Sequence, residues 1–252
     1  MLLSIVIPAF NEERILGQAL VQIHHALREN EDRGFSWEII VCDNNSSDRT
    51  SEIASQMGAK VTFESINQIS RARNTGAGIA EGNWLLFIDA DSYPCPELMA
   101  EVLDVMEDGN YIGCGTTIVV ESGTLFNKLR MERLNPLFRL FNWGGGAFLL
   151  CQVEAFRSIG GFSTSLYAYE EIDFVFRLKR YGRKVGKKFT VIHRYPVVTS
   201  GRKGDYGFFT LGVLFISNFM AVVLLVLHYL LPIEFIAKLG SKLLGYWYRG
   251  RR

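Results

Sequence analysis

Cysteine and proline are scarce, at four and six in 252 residues. Cys42, Cys95, Cys114 and Cys151 contain no Cys-x-x-Cys pair, so neither a zinc framework nor a disulfide scaffold is expected, and buried reduced thiols in a cytosolic compartment are. A charge imbalance is also missing. Lys+Arg number 27 against Asp+Glu 26, for a net charge of +1, which argues against a nucleic-acid partner. With 48% apolar and 21% charged residues, the composition is that of a folded chain rather than a disordered one. No Gly-x-Gly-x-x-Gly follows Ile7, so a dinucleotide-binding dehydrogenase is not indicated. The Gly-rich signature of a sugar-nucleotide synthesising enzyme is absent from the same place, which PAFNEE occupies. MLLSIVIPAF lacks a basic start and is broken by Pro8, so it reads as a buried strand and not as a signal peptide.

What is present is an alternation of short β-rich apolar runs with helical patterns, the mark of βαβ units and a mainly parallel sheet. The spacing predicts strands at Leu2–Ile7, Trp37–Cys42, Lys60–Phe63 and Trp84–Ile88. Helices are expected near Glu13–Arg28, Asp48–Met57, Ser70–Ala80 and Pro96–Glu107. Further along come a strand to about Val120, the amphipathic LFNKLRMERLNPLFRLF, and Gly144-Gly145-Gly146 opening AFLLC. Helical spacing returns at Val153–Ile159 and Tyr169–Tyr181, and a last strand covers Lys187–Ile192. No internal repeat interrupts this order.

Chemistry-bearing residues fall where these strands end, the place where open α/β sheets hold ligands. Asp89-Ala90-Asp91 closes the strand of WLLFIDADS, and two such carboxylates can share a divalent cation that bridges the oxygens of a diphosphate. An exposed turn capping the next helix is the plainer alternative. Asp43, ahead of Asn44-Asn45-Ser46-Ser47-Asp48, could accept hydrogen bonds from a nucleobase or ribose, while Ser47 or Asp48 caps the following helix. Ser70-Arg71-Ala72-Arg73-Asn74 puts arginines beside a helix N-terminus, which suits a phosphate. Glu170, Glu171 and Asp173 crowd one helix start. Acids there favour the helix dipole, yet three exceed what a cap needs, and one of them could deprotonate an acceptor hydroxyl. His193 could ligate a metal through neutral imidazole, while His24, His25 and His228 read as structural.

Taken in order, SIVIPAFNEE, VCDNNSSD, ISRARNTGAGIAEGNWLLFIDADS, GGGAFLL and EEIDFVFRLKRYG resemble the family-2 glycosyltransferases of the GT-A fold, over about residues 3–200. The resemblance implies an α/β GT-A nucleotide-diphospho-sugar transferase fold with a mainly parallel central sheet, and an inverting transfer. It implies that Pro8, Phe10, Glu12 and Asp43 line the nucleotide pocket, that Arg73 lies near it, and that Asp89 touches the ribose side of the donor. Gly145 and Gly146 match the loop beside the donor sugar. Asp91, with His193, would hold a divalent metal, Mg²⁺ or Mn²⁺. The base falls on the second residue of the family's Glu-Asp pair, which is Glu171 here, a departure from the commoner aspartate; Glu170 and Asp173 stay open as alternatives. The Gln-x-x-Arg-Trp motif of processive members is absent, which points to single-sugar transfer.

The C-terminal region is of another kind. Positions 206–233 hold no Asp, Glu, Lys or Arg, and as one helix they would reach roughly 42 Å at 1.5 Å per residue, against a bilayer core of about 30 Å. Basic residues flank both sides, Arg194, Arg202 and Lys203 before and Lys238, Lys242, Arg249, Arg251 and Arg252 after. A hairpin broken near Pro232, or an interfacial LLGYWYRGRR, suits that distribution better than a single span. The expected organisation is a catalytic domain at 1–203 and a hydrophobic helical, membrane-associated segment at 204–252. The catalytic domain is expected on the cytoplasmic face, where nucleotide-sugar donors are made, with a lipid-linked or cell-envelope glycan as acceptor. The competing readings are a haloacid-dehalogenase-type phosphatase with Asp89 as nucleophile and an inactive membrane scaffold.

Overall fold

A computed structural model describes residues 1–121, 135, 146–166 and 170–200. The amphipathic stretch LFNKLRMERLNPLFRLF (Asn135 excepted), Gly145 and the apolar C-terminal segment lie outside the described residues.

Along the chain run β1 (Leu2–Ala9), α1 (Leu16–Arg28), β2 (Ser36–Asp43), α2 (Thr50–Gln56), β3 (Lys60–Phe63), α3 (Ile69–Gly78) and β4 (Trp84–Ile88). They are followed by β5 (Ser92–Tyr93), α4 (Pro96–Asp108), β6 (Tyr111–Val120), β7 (Phe148–Gln152), α5 (Val153–Ser158), α6 (Glu170–Lys184) and β8 (Lys188–Thr199). The strands form one eight-stranded sheet in the order β3-β2-β1-β4-β7-β6-β8-β5. β3, β2, β1 and β4 pair in parallel. β7 is antiparallel to both β4 and β6, and β8 returns parallel to β6. The mainly parallel α/β architecture expected from the sequence is therefore the one observed.

Alternate residues of the central strands feed two cores, as the two-residue period of a strand requires. Leu3, Ile5, Ile7, Leu86 and Ile88 pack with Leu16, Leu20, Ile23 and Leu27 of α1 and with Leu98, Val102 and Leu103 of α4. Val6, Leu85, Phe87 and Leu149 face the other way, onto Phe162 and onto Phe174, Val175 and Leu178 of α6. α3 lies close against β1 because Gly76 carries no side chain: a Cβ there would stand 2.5 Å from Cγ1 of Val6.

Several boundaries differ from the sequence expectation for local reasons. α1 starts at Leu16 and not at Glu13, because residues 11–15 make a turn in which the Glu12 carbonyl accepts from Ile15 and Leu16. α2 starts at Thr50, and Asp48 serves its first turn by accepting from the Thr50 N–H while its other oxygen accepts from the Glu13 N–H. β8 runs on to Thr199 instead of ending at Ile192, interrupted by a bulge in which five residue steps, Ile192 to Val197, oppose two on β6, Thr116 to Ile118.

Candidate active site

The C-terminal ends of β1, β2 and β4 define the site. Ala9 pairs with Asp43 across the β1–β2 ladder, so Pro8, Phe10, Glu12 and Asp43 come together on one edge. Pro8 is buried and Phe10 half-buried. The buried Glu12 is fixed through its N–H, which donates to Thr50 Oγ1 at 2.8 Å. Asp43 is 7% exposed and accepts from the Ser46 N–H at 2.9 Å, closing the turn after β2. Asn11 and Asn45 carry the loops through positive φ angles of 54° and 66°. Asparagine tolerates that region better than most residues. The Asn11 carboxamide oxygen accepts from the Ser47 N–H, so the two loops fix each other.

Arg73 sits at the centre of a second group. Buried in α3, it donates to Asp89 (3.1 Å), to Glu170 (3.1 Å) and to the Gly146 carbonyl (3.0 Å), with its guanidinium 5.0 Å from the Phe162 ring centroid. The sequence placed Arg73 near a phosphate. In the structure both terminal nitrogens are engaged by protein, so it acts as a clamp between the end of β4 and the start of α6.

Glu171 lies directly against Gly146, where a Cβ would stand 2.9 Å from its Oε1. A side chain at this position would displace the Glu171 carboxylate from where it stands. Glu170 is 5% exposed and Glu171 half-buried. Burial, and then the neighbouring Glu171 charge, push the Glu170 carboxyl well above the ordinary range in spite of Arg73. Physically, Asp89, Glu170 and Glu171 share one cation, and burial makes the last negative charge expensive. Asp173, the third acid of this helix start, is occupied elsewhere, bonded to Arg177 at 2.6 and 2.8 Å.

Asp91 is 5% exposed and accepts from the hydroxyls of Ser92 (3.2 Å) and Ser200 (3.1 Å), with Thr199 Oγ1 at 3.5 Å. His193 lies exposed in the β8 bulge, with its Nδ1 3.4 Å from the Val191 carbonyl oxygen. Among the described residues no group of three or more His, Cys, Asp and Glu could hold a metal ion. The four cysteines are free. Burial pushes the Cys42 thiol up to about 12, in line with unreactive core thiols.

Sequence reasoning passed over Gln68 and gave Asn74 no role of its own within the arginine motif; the two residues tie α3 to the segment before α6. Both flank the arginines in NQISRARN, yet their partners are main-chain carbonyls of residues 162–166, which no sequence spacing reveals.

An α/β sheet whose parallel strands lead into Asp43, Asp89 and Asp91, opposite a helix that begins with two glutamates, gathers its acidic side chains at the carboxyl edge, where enzymes with open α/β sheets hold their ligands. Residues 4–172 match the family model described as glycosyl transferase family 2, and the chain belongs to that family. It is similar to an uncharacterized glycosyltransferase of Haemophilus influenzae, 27% identical over 70% of this chain and 62% of the relative. It is also similar to the undecaprenyl-phosphate 4-deoxy-4-formamido-L-arabinose transferase of Pectobacterium carotovorum, 30% identical over 68% of this chain and 53% of the relative. The chain thus spans little more than half the length of these proteins. Among solved structures, the mannosyltransferase PcManGT from Pyrobaculum calidifontis, in complex with GDP-Man and Mn²⁺, shares the fold with a TM-score of 0.60 at 16% identity, covering 84% of this chain and 59% of that one. The expected GT-A fold is the observed one.

Proposed function

We propose that this protein is an inverting glycosyltransferase that moves one sugar from a nucleoside-diphosphate donor to an acceptor hydroxyl, with Glu171 as general base. The carrying observation is Glu171 packed against Gly146, beside the Arg73–Asp89 pair. This puts a carboxylate next to the carboxyl edge of the sheet. Glu171 takes the proton of the acceptor hydroxyl as its oxygen attacks the anomeric carbon from the side opposite the diphosphate. Glu170, bonded to Arg73, orients the pair. Pro8, Phe10, Glu12 and Asp43 receive the nucleoside, with Asp89 on the ribose side. Gly145 and Gly146 flank the donor sugar.

A divalent cation, Mg²⁺ or Mn²⁺, belongs to the same proposal. The donor set fits an ion of which the protein holds only part: magnesium is commonly bound by one or two carboxylates plus substrate phosphates. Asp91, ringed by the hydroxyls of Ser92, Thr199 and Ser200, offers such a carboxylate. When bound, the cation would stabilise the charge on the departing diphosphate. His193 remains an expectation from the family resemblance alone.

The catalytic unit in this reading is 1–203, with 204–252 associating with the membrane from the cytoplasmic side. The name of the undecaprenyl-phosphate transferase relative supports a lipid-linked acceptor. It also raises a second reading, in which the attacking atom is a phosphate oxygen that needs no base. Family membership leaves the phosphatase alternative, with Asp89 as nucleophile, without support.

The test is release of nucleoside diphosphate from a panel of nucleotide sugars, with and without Mn²⁺ or Mg²⁺, in the presence of hydroxyl-bearing or polyprenyl-phosphate acceptors. Metal-dependent release from one donor, lost in Asp91→Asn and reduced about 10²- to 10⁴-fold in Glu171→Gln, supports the hydroxyl reading. Full transfer to a polyprenyl phosphate by Glu171→Gln would replace it with the second. Full activity of Asp91→Asn would remove the metal.

A further inference from the structure

The segment from Ile159 to Leu166 contains no helix or strand beyond its first residue's place after α5, so its carbonyl groups need partners from outside. α3 supplies them. The Gln68 side chain, 1% exposed, donates to the carbonyls of Thr164 and Leu166, each at 2.9 Å. Its Oε1 accepts from Arg71 Nε at 3.1 Å, and its own N–H donates to Asn44 Oδ1 at 2.9 Å. One turn and a half along the helix, Asn74 grips Phe162 in both directions: Nδ2 donates to the Phe162 carbonyl (2.8 Å) and Oδ1 accepts from its N–H (2.9 Å).

From the opposite side Arg177 of α6, held by Asp173, donates to the carbonyls of Ile159 (2.7 Å) and Gly161 (2.8 Å). Phe162 in turn carries Arg73 on its ring. Arg73 bonds Glu170 in the first turn of α6, and Arg177 belongs to the same helix, so a shift at 159–162 reaches α6 through both arginines. At its other end the tether joins Asn44, the neighbour of Asp43, whose carboxamide also donates to the carbonyls of Glu64 and Ile66.

We propose that Gln68 and Asn74 are positioning residues that set where the Glu170–Glu171 pair stands relative to the β4 end, and that Gln68 links this placement to the turn after β2. The catalytic part of the proposal rests on the transferase reading above. Neither residue touches the reacting atoms in that reading; both act through the 162–166 main chain and through Phe162 beneath Arg73.

Gln68→Met keeps the length of the side chain and removes both donors. In the full chain, hydrogen exchange followed by mass spectrometry is expected to show about tenfold loss of protection in peptides covering 162–176, with β1, β2 and β4 unchanged. Unchanged exchange at 162–176 overturns the proposal. In transfer assays kcat is expected to fall about ten- to a hundredfold, while the donor KM stays within about twofold. The acidic limb of the pH–rate profile is expected to move with the displaced carboxyl pair. Wild-type kcat with an unmoved profile overturns the positioning role, whatever happens to thermal stability. Asn74→Leu tests the same tether by the same readouts if Gln68→Met does not fold. A wild-type protein that transfers sugar from no donor removes the transferase reading, while the exchange experiment still decides the tether.

Discussion

Asp89, Glu170 and Glu171 place three carboxyl groups around the one guanidinium of Arg73, and the arithmetic of charge decides what Glu170 does. Its carboxyl is pushed up to about 8 by burial first and by Glu171 second. The folded state therefore binds that proton more tightly than the unfolded chain, whose glutamates titrate near 4.5. The stabilisation is fully present below about pH 4.5 and is lost as pH rises through about 8. Denaturant titrations at pH 5 and pH 8.5 are expected to show a fall in unfolding free energy over this window. Glu170→Gln, which cannot titrate, is expected to flatten it. An unchanged slope in the variant would assign the proton elsewhere. At this scale the sequence marked which residues the fold gathers at the carboxyl edge more clearly than what they contact. Asp43, Asp89, Asp91 and Glu171 were legible because each sits at a strand end or helix start, positions that periodicity marks. The partners of Arg73 were not, since Glu170 lies 97 residues away. The location of His193 also depended on tertiary detail, a bulge that no local pattern signals.

Elements carry these residues only as well as their packing allows. α6 presents the glutamate pair, and it is seated by an aromatic cluster beneath β4: Phe162 and Phe174 stack at 4.2 Å between centroids, and Phe87 meets Phe162 edge-on at 4.9 Å. Phe87, Phe162 and Phe174 are all buried, so a cavity there cannot be filled by water. Phe87→Ala is expected to cost about 3–5 kcal/mol of stability, measured by denaturant unfolding. A loss under about 1 kcal/mol would mean that the cluster repacks. Element types were readable along most of the chain, because the strands of a mainly parallel sheet are continuous apolar runs and the helices keep a 3.6-residue stripe. Element ends were less so. The starts of α1 and α2 depend on two bonds between their leading turns, the Glu13 N–H donating to the Asp48 carboxylate and the Arg49 N–H donating to the Glu13 carboxylate, 35 and 36 positions apart, and the extension of β8 depends on pairing with β5.

At the scale of the whole molecule, the sequence divides into a described α/β unit and a C-terminal stretch of different composition. Among the described residues no helix is long and apolar enough to cross a membrane, and positions 206–233 lie outside them. The membrane proposal therefore stands on composition, uncharged length and flanking basic residues. Alkaline carbonate washing of membranes is expected to leave the full chain in the pellet and to release a chain ending at Lys203. Complete release of the full chain would remove the proposal.

The margins of the sheet have a consequence for the molecule in crowded solution. Among the described residues the sheet ends at β3, four residues long, and at β5, two residues long. A sheet edge offers unpaired main-chain donors and acceptors to any strand that meets it, and short edges with charged residues blunt that offer. Lys60 opens β3 and is held beside Glu38 and Glu81, so an approaching strand meets ion-paired charge before it meets the exposed Val61 and Phe63. β1 and β4, which lead into the site, lie inside these margins with a strand paired on either side, so their main chains are not open to a further strand.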